Sequence, residues 1–238
     1  MNIKRVAVFF KNELFLAFTN IGTYIVALLF LIVPSVYFFF FTHFFVEGSG
    51  SADLRIFYLF LPYLSIIVIP VLTMNCWIAD FDTIIQLPFS TVEIVVAKWF
   101  SSITLILLMQ ILLLTVPLTV NCFGFVDAGQ VFVSNIVLFL FFCSVCAMGQ
   151  LVSLIMLNNV AAAIITAVFL ALTNLIHLLT VRAGLSSKTG SFINYFSFAW
   201  HFDYASKGIL DSRDVFFYLL QTFVFLSVSA ALIEKRKR

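Results

Sequence analysis

The chain has 238 residues, of which 63% are hydrophobic and 10% charged, with 13 Lys and Arg against 11 Asp and Glu. A soluble domain carries about 25% charged residues, so this chain cannot cover a water-facing surface; a soluble globular fold, a disordered chain and a nucleic-acid-binding module are excluded. It reads as an all-α polytopic membrane protein, and at about 20 apolar residues per spanning helix, six spans leave short loops and little room for a catalytic domain.

Residues 2–18 read as a basic amphipathic helix. Ile3, Val6, Ala7, Phe10, Leu14, Ala17 and Phe18 fall on one arc at 3.6 spacing, and Lys4, Arg5, Lys11 and Asn12 on the other, with Phe9 and Phe15 off the pattern. Such a helix lies in the membrane interface; the alternative is an extension of the first span. Lys11, Asn12 and Glu13 interrupt the apolar residues, and no small-residue cleavage site follows, so the stretch does not read as a signal peptide.

Six apolar runs of spanning length follow, near 21–46, 54–76, 92–120, 131–156, 160–181 and 214–233. Pro34, Pro62, Pro70 and Pro117 fall in or near them, where neighbouring helices tolerate a kink. With both termini cytoplasmic, the inner side holds Lys4, Arg5, Lys11, Lys98 and Lys235 to Arg238, and the outer side holds Arg55, Arg182, Lys188, Lys207 and Arg213. That bias favours this orientation, and an even number of spans agrees with two basic ends.

Local signals mark the connections. Ser90 and Glu93 form a capping box at the start of the third span. Asn158-Asn159 is the polar break between spans four and five and reads as a tight inner turn. In the outer loop 182–213 a short aromatic helix over 196–207 is expected on the outer surface, with Gly208 at its C-terminal cap. Asp211 suits the N-cap of the last span, with Asp214 in its first turn.

No G-x-x-x-x-G-K-S/T phosphate loop is present, and His43, His177 and His201 are far apart with no H-x-x-x-H partner. Cys143-x-x-Cys146 has no second pair and reads, with Cys76, as small core residues. Every Asp and Glu falls at a span end or in a loop, which argues against an ion-driven secondary transporter. The spans hold neutral polar groups: Asn75, Gln110, Gln150, Asn174 and His177. They are candidates for a pathway lining, or they make helix–helix hydrogen bonds.

Three stretches carry a resemblance to ABC-2 type permeases, nearest to the gliding-motility-associated branch, over essentially the whole length. Leu87-Pro88-Phe89-Ser90-Thr91-Val92-Glu93-Ile94-Val95 with Lys98 is similar to L-P-x-S-x-x-E-I-V-x-x-K. Gly149, Ser153 and Asn158 match G-x-x-x-S-x-x-x-x-N. His201-Phe202 and Lys207-Gly208-Ile209-Leu210-Asp211-Ser212-Arg213-Asp214-Val215 match H-F followed by R/K-G-V/I-I/L-D-x-R-D-V. The family's acidic–basic run E-E-x-x-x-G-T-x-E is shortened here to Cys76-Trp77-Ile78-Ala79-Asp80-Phe81-Asp82-Thr83-Ile84-Ile85-Gln86, with only Asp82 where the last Glu stands.

The resemblance implies a membrane-spanning subunit of an ATP-binding-cassette exporter in a bacterial cytoplasmic membrane. It implies a second permease chain, identical or related, around one translocation pathway. ATP and magnesium would sit on a separate ABC ATPase, and this chain would hold no catalytic residue, cofactor or metal. Asp80, Phe81 and Asp82, helped by Lys4, Arg5 and Lys11, are the candidates for the ATPase contact; the other reading of Asp80 and Asp82 is a solvated turn. Substrate would meet the spans and the aromatic outer loop around Trp200 and Phe202. Membrane lipid and an extracytoplasmic auxiliary subunit are the further partners implied, and nucleic acid is not. The shortened run leaves a second possibility, a non-transporting membrane anchor or assembly scaffold derived from such a permease.

Overall fold

The computed structural model describes residues 3–41, 53–77, 89–156, 158–182, 190 and 193–237. Asp80, Phe81, Asp82 and Pro88 lie outside the described residues, as do Lys188 and the end of the first predicted span at 42–46.

Helix α1 (Ile3–Thr19) turns at Asn20 into α2 (Ile21–Val36), which ends in a π-helical turn, Tyr37–Phe41. Next come α3 (Arg55–Thr73), α4 (Thr91–Leu113), α5 (Thr115–Phe123), α6 (Ala128–Met156), α7 (Asn159–Arg182), α8 (Phe198–Ser206) and α9 (Ser212–Lys237). Six helical segments, α2, α3, α4–α5, α6, α7 and α9, are long and apolar enough to cross a membrane, and no strand occurs among the described residues. The chain is thus an all-α, multi-pass bundle, as its composition predicts.

Two sequence signals set their helix starts as expected. Ser90 Oγ accepts the Glu93 N–H at 3.3 Å while Glu93 Oε2 accepts the Ser90 N–H at 3.2 Å, the reciprocal capping box. Asp211 Oδ1 accepts the Arg213 N–H at 2.9 Å at the head of α9. Asn158 Oδ1 accepts from Val160 and Ala161 at the head of α7, so the tight turn is closed by a cap. The third span differs from its prediction: it breaks at Leu114. Pro117 has no N–H to give the Leu113 carbonyl, and the helix restarts one residue later. The last span runs on to Lys237, because Lys235, Arg236 and Lys237 suit the negative end of a helix.

Helices α3, α4–α5 and α6 bury half or more of their most apolar stretch and form the centre, while α2, α7 and α9 bury 22% of theirs. Phe141 is the hub of the main core, edge-on to Phe142, Phe198 and Tyr218. A second, smaller core joins Trp77, Ile94, Val95, Leu154 and Ile233, with Phe9 and Phe89 against it. Here Arg236 Nη1 donates to the Leu154 carbonyl at 2.9 Å and Lys237 Nζ to the Phe89 carbonyl at 3.1 Å. Both described chain ends therefore lie at one end of the bundle, called the terminal end below.

The packed face of α1 shares Val6, Phe10, Leu14 and Ala17 with the predicted arc and departs from it at Ala7, Phe18, Phe9 and Glu13. Val6, Phe9, Phe10, Glu13, Leu14 and Ala17 are partly covered, whereas Ala7 and Phe18 are exposed, and so are Val8 (70%) and Phe15 (66%). Phe9, off the predicted pattern, packs on Phe89 with ring centroids 6.1 Å apart. The face reaches past the apolar arc to Glu13 because that carboxylate pairs with Lys98.

Candidate functional site

A cavity of about 400 Å³ opens at the terminal end, between the α1–α2 corner, the end of α3 and the first half of α4. Lys98, Ser101, Ser102 and Leu105 come to its wall at helical spacing on one face of α4. The corner supplies Glu13, Asn20 and Thr23, and the turn after α3 supplies Met74, Asn75 and Cys76. Asn20 turns the chain there: its backbone is extended, and its Oδ1 accepts the Gly22 N–H at 2.9 Å.

Lys98 is the dominant charge. Its Nζ donates to Glu13 Oε1 at 2.7 Å, and its side chain is 2% exposed against 15% for Glu13. It also stands 5.4 Å from the ring centre of Trp77 and 5.6 Å from that of Phe9. A buried ammonium is costly unless paired, so the aromatic faces and the carboxylate together account for its position. The sequence reading counted Lys98 as an inner-side charge; the structure puts it inside the bundle in the second turn of α4. Ser102 Oγ, which donates back to the Lys98 carbonyl at 3.2 Å, accepts from Gln150 Nε2 of α6 at 3.1 Å.

The same end holds the second matched stretch. Gly149 faces Thr73 so closely that a Cβ there would overlap the Thr73 side chain, which brings the backbones of α3 and α6 together. Ser153 Oγ donates to the Met74 carbonyl at 3.0 Å, fixing the turn before Asn75.

Of the five predicted pathway residues, Asn75 lines the cavity and Gln150 stands one hydrogen bond behind it, while Asn174 and His177 meet the neighbouring residues Pro62 and Tyr63 of α3 instead. Gln110 donates to the Asn135 carbonyl at 2.7 Å between α4 and α6, and Asn174 to the Pro62 carbonyl at 3.2 Å between α7 and α3. His177 lies within hydrogen-bonding distance of Tyr63 Oη (3.3 Å) and Ser197 Oγ (3.2 Å). These contacts are the helix–helix hydrogen bonds of the alternative reading.

The far end is closed by α8, which sinks one face into the bundle while Tyr204 and Lys207 on its other face stay exposed. Phe198, His201, Phe202 and Ala205 are buried, so Phe202 cannot meet a substrate from outside. The α8 helix ends at Lys207, and Gly208 follows with φ +80°, where a Cβ would also stand 3.0 Å from the Gln130 Cα. His201 Nδ1 is 2.6 Å from Asp214 Oδ1 and Nε2 is 3.1 Å from the Tyr195 carbonyl. On the rim of α8, Asp203 accepts from Arg55 at 3.0 Å and from Lys207 at 2.7 Å. Burial pushes its carboxyl up, but the Lys207 and Arg55 hydrogen bonds and charges outweigh that and hold it below the usual carboxylate range.

Sequence reasoning missed Glu13 and Trp77. The available signal for Glu13 was a lone acid sharing the Phe9, Phe10 and Ala17 face of α1; for Trp77 there was none, since its partner is 21 residues along the chain. No protein-family model matches the chain, and no curated protein matches it.

Proposed function

We propose that the chain is the membrane-spanning permease subunit of an ATP-binding-cassette exporter, two such halves enclosing a pathway driven by a separate ATPase. The reading rests on the three matched stretches, and one observation carries it. Each stretch holds residues at positions with demanding geometry. Ser90 and Glu93 close a capping box, Gly149 lies against Thr73, and His201, Gly208 and Asp214 build the far cap. In this reading the termini and the 78–88 connection face the cytoplasm of a bacterial inner membrane. ATP binding would favour one arrangement of the halves through differential contacts at that connection.

The test is co-purification of the chain, expressed with its neighbouring genes, with an ABC ATPase, and stimulation of that ATPase. A chain that never binds one overturns the reading. The shortened run 76–86 favours a second reading, a non-transporting scaffold. Deleting residues 78–86 separates the two: lost ATPase stimulation supports the permease, whereas unchanged stimulation with assembly retained supports the scaffold.

A further inference from the structure

We infer that the terminal-end cavity binds the headgroup of a zwitterionic phospholipid bearing a primary ammonium, a phosphatidylethanolamine. The inference needs only a membrane-embedded chain and does not rest on the transporter reading.

The cavity holds one fixed charge of each sign, side by side. Lys98 occupies Glu13 Oε1, and among the described residues Oε2 accepts no hydrogen bond, while the Glu13 side chain keeps 15% exposure. A lone cation seated there meets the Lys98 charge, and a lone anion meets that of Glu13. A headgroup carrying both signs keeps the site neutral. A primary ammonium has three N–H donors, one of which suits the unused carboxylate oxygen. Elsewhere on the cavity wall, the Asn75 side chain, Asn20 Nδ2 and the Thr23 hydroxyl have no partner among the described residues, and they are donors suited to a phosphate.

The occupant is a lipid rather than a free phosphoamine because of the rim. Leu16 (46% exposed) and Val71 (36%) both line the cavity and belong to the apolar outer surface. That surface continues along α3 through Ile67 and along α2 through Ile25, an apolar track for acyl chains beginning at a polar pocket. The volume, about 400 Å³, lies within the range of small-ligand sites, about 300–1,000 Å³.

The full chain is reconstituted in nanodiscs containing phosphatidylglycerol with either phosphatidylethanolamine or phosphatidylcholine, and retained lipid is read by native mass spectrometry after detergent release. Phosphatidylcholine has the same charges but no N–H, so it isolates the bond to Glu13. Ethanolamine phosphate alone is the soluble control. Preferential retention of phosphatidylethanolamine is expected, with the preference falling about tenfold in Glu13→Gln, as for loss of one charge-assisted hydrogen bond. Asn75→Leu, at an exposed position on the cavity wall with no hydrogen bond to the ion pair, is expected to lower retention of the lipid while the protein keeps its thermal midpoint; it decides the matter if Glu13→Gln does not fold. Equal retention of the two lipids by the wild type, a preference that survives Glu13→Gln, retention unchanged in Asn75→Leu, or binding of ethanolamine phosphate as tight as that of the lipid overturns the proposal.

Discussion

Lys98 and Glu13 are 85 residues apart in sequence and 2.7 Å apart in space, and the two are unequally buried. The ammonium is sealed at 2% exposure, whereas the carboxylate still reaches the cavity at 15%. Removing one partner of a buried pair costs about 3–5 kcal/mol because the other charge is stranded. Glu13→Ala strands the deeper charge and is expected to destabilise more than Lys98→Met, which leaves a carboxylate that cavity water can reach. The double variant is expected to recover part of the Glu13→Ala loss. Thermal unfolding in detergent checks this ordering, and equal losses from the two single changes would contradict it.

At the far end, Asp214→Ala removes the acceptor of a buried histidine nitrogen. A cost of about 1–3 kcal/mol is expected for leaving a buried histidine nitrogen without its partner, together with faster proteolysis beside Tyr195, whose carbonyl meets His201. Protease mapping of the variant beside the wild type reads this directly; an unchanged cleavage pattern counts against the His201–Asp214 pair as the fastening of α8.

Asp203 gives a pH dependence with a definite sign. Its folded-state carboxyl lies below the usual range, so its contribution is present above about pH 4, the unfolded value, and is lost as pH falls through the lower folded value. The side chain is 35% exposed, so the whole effect is expected to be under about 1 kcal/mol. Asp203→Asn is therefore expected to lower the thermal midpoint slightly at neutral pH, with the gap to wild type closing as pH falls below the unfolded value and through the lower folded one. A gap that widens on acidification rejects the assignment.

Gly149→Ala places a methyl group into Thr73, and overpacking of this kind costs about 1–3 kcal/mol. Thr73→Ala, which removes the atoms in the way, is expected to restore most of it. Unfolding midpoints of the two single variants and the double variant decide whether this contact is as close in solution.

Much of the fold is legible in the sequence because membrane helices declare themselves locally. The Ser90–Glu93 box, the Asp211 cap and the αL glycine at Gly208 each need only a few neighbouring residues. The break at Leu114 was within reach too, since Pro117 is visible and its lost hydrogen bond points to one place. The cavity was not legible. Its wall takes Glu13 from α1, Asn75 from the turn after α3 and Lys98 from α4, and hydropathy ranks each of them as a boundary residue without saying which of them meet. The depth of α8 was hidden for a related reason: an aromatic helix reads the same on a membrane surface as in a core, until His201 finds Asp214.

Thr73 and Gly149 leave no clearance between α3 and α6, and the Ser153 bond to the Met74 carbonyl pins the same junction. A slide of α3 along α6 would first have to carry Thr73 away from Gly149 and break the Ser153 bond.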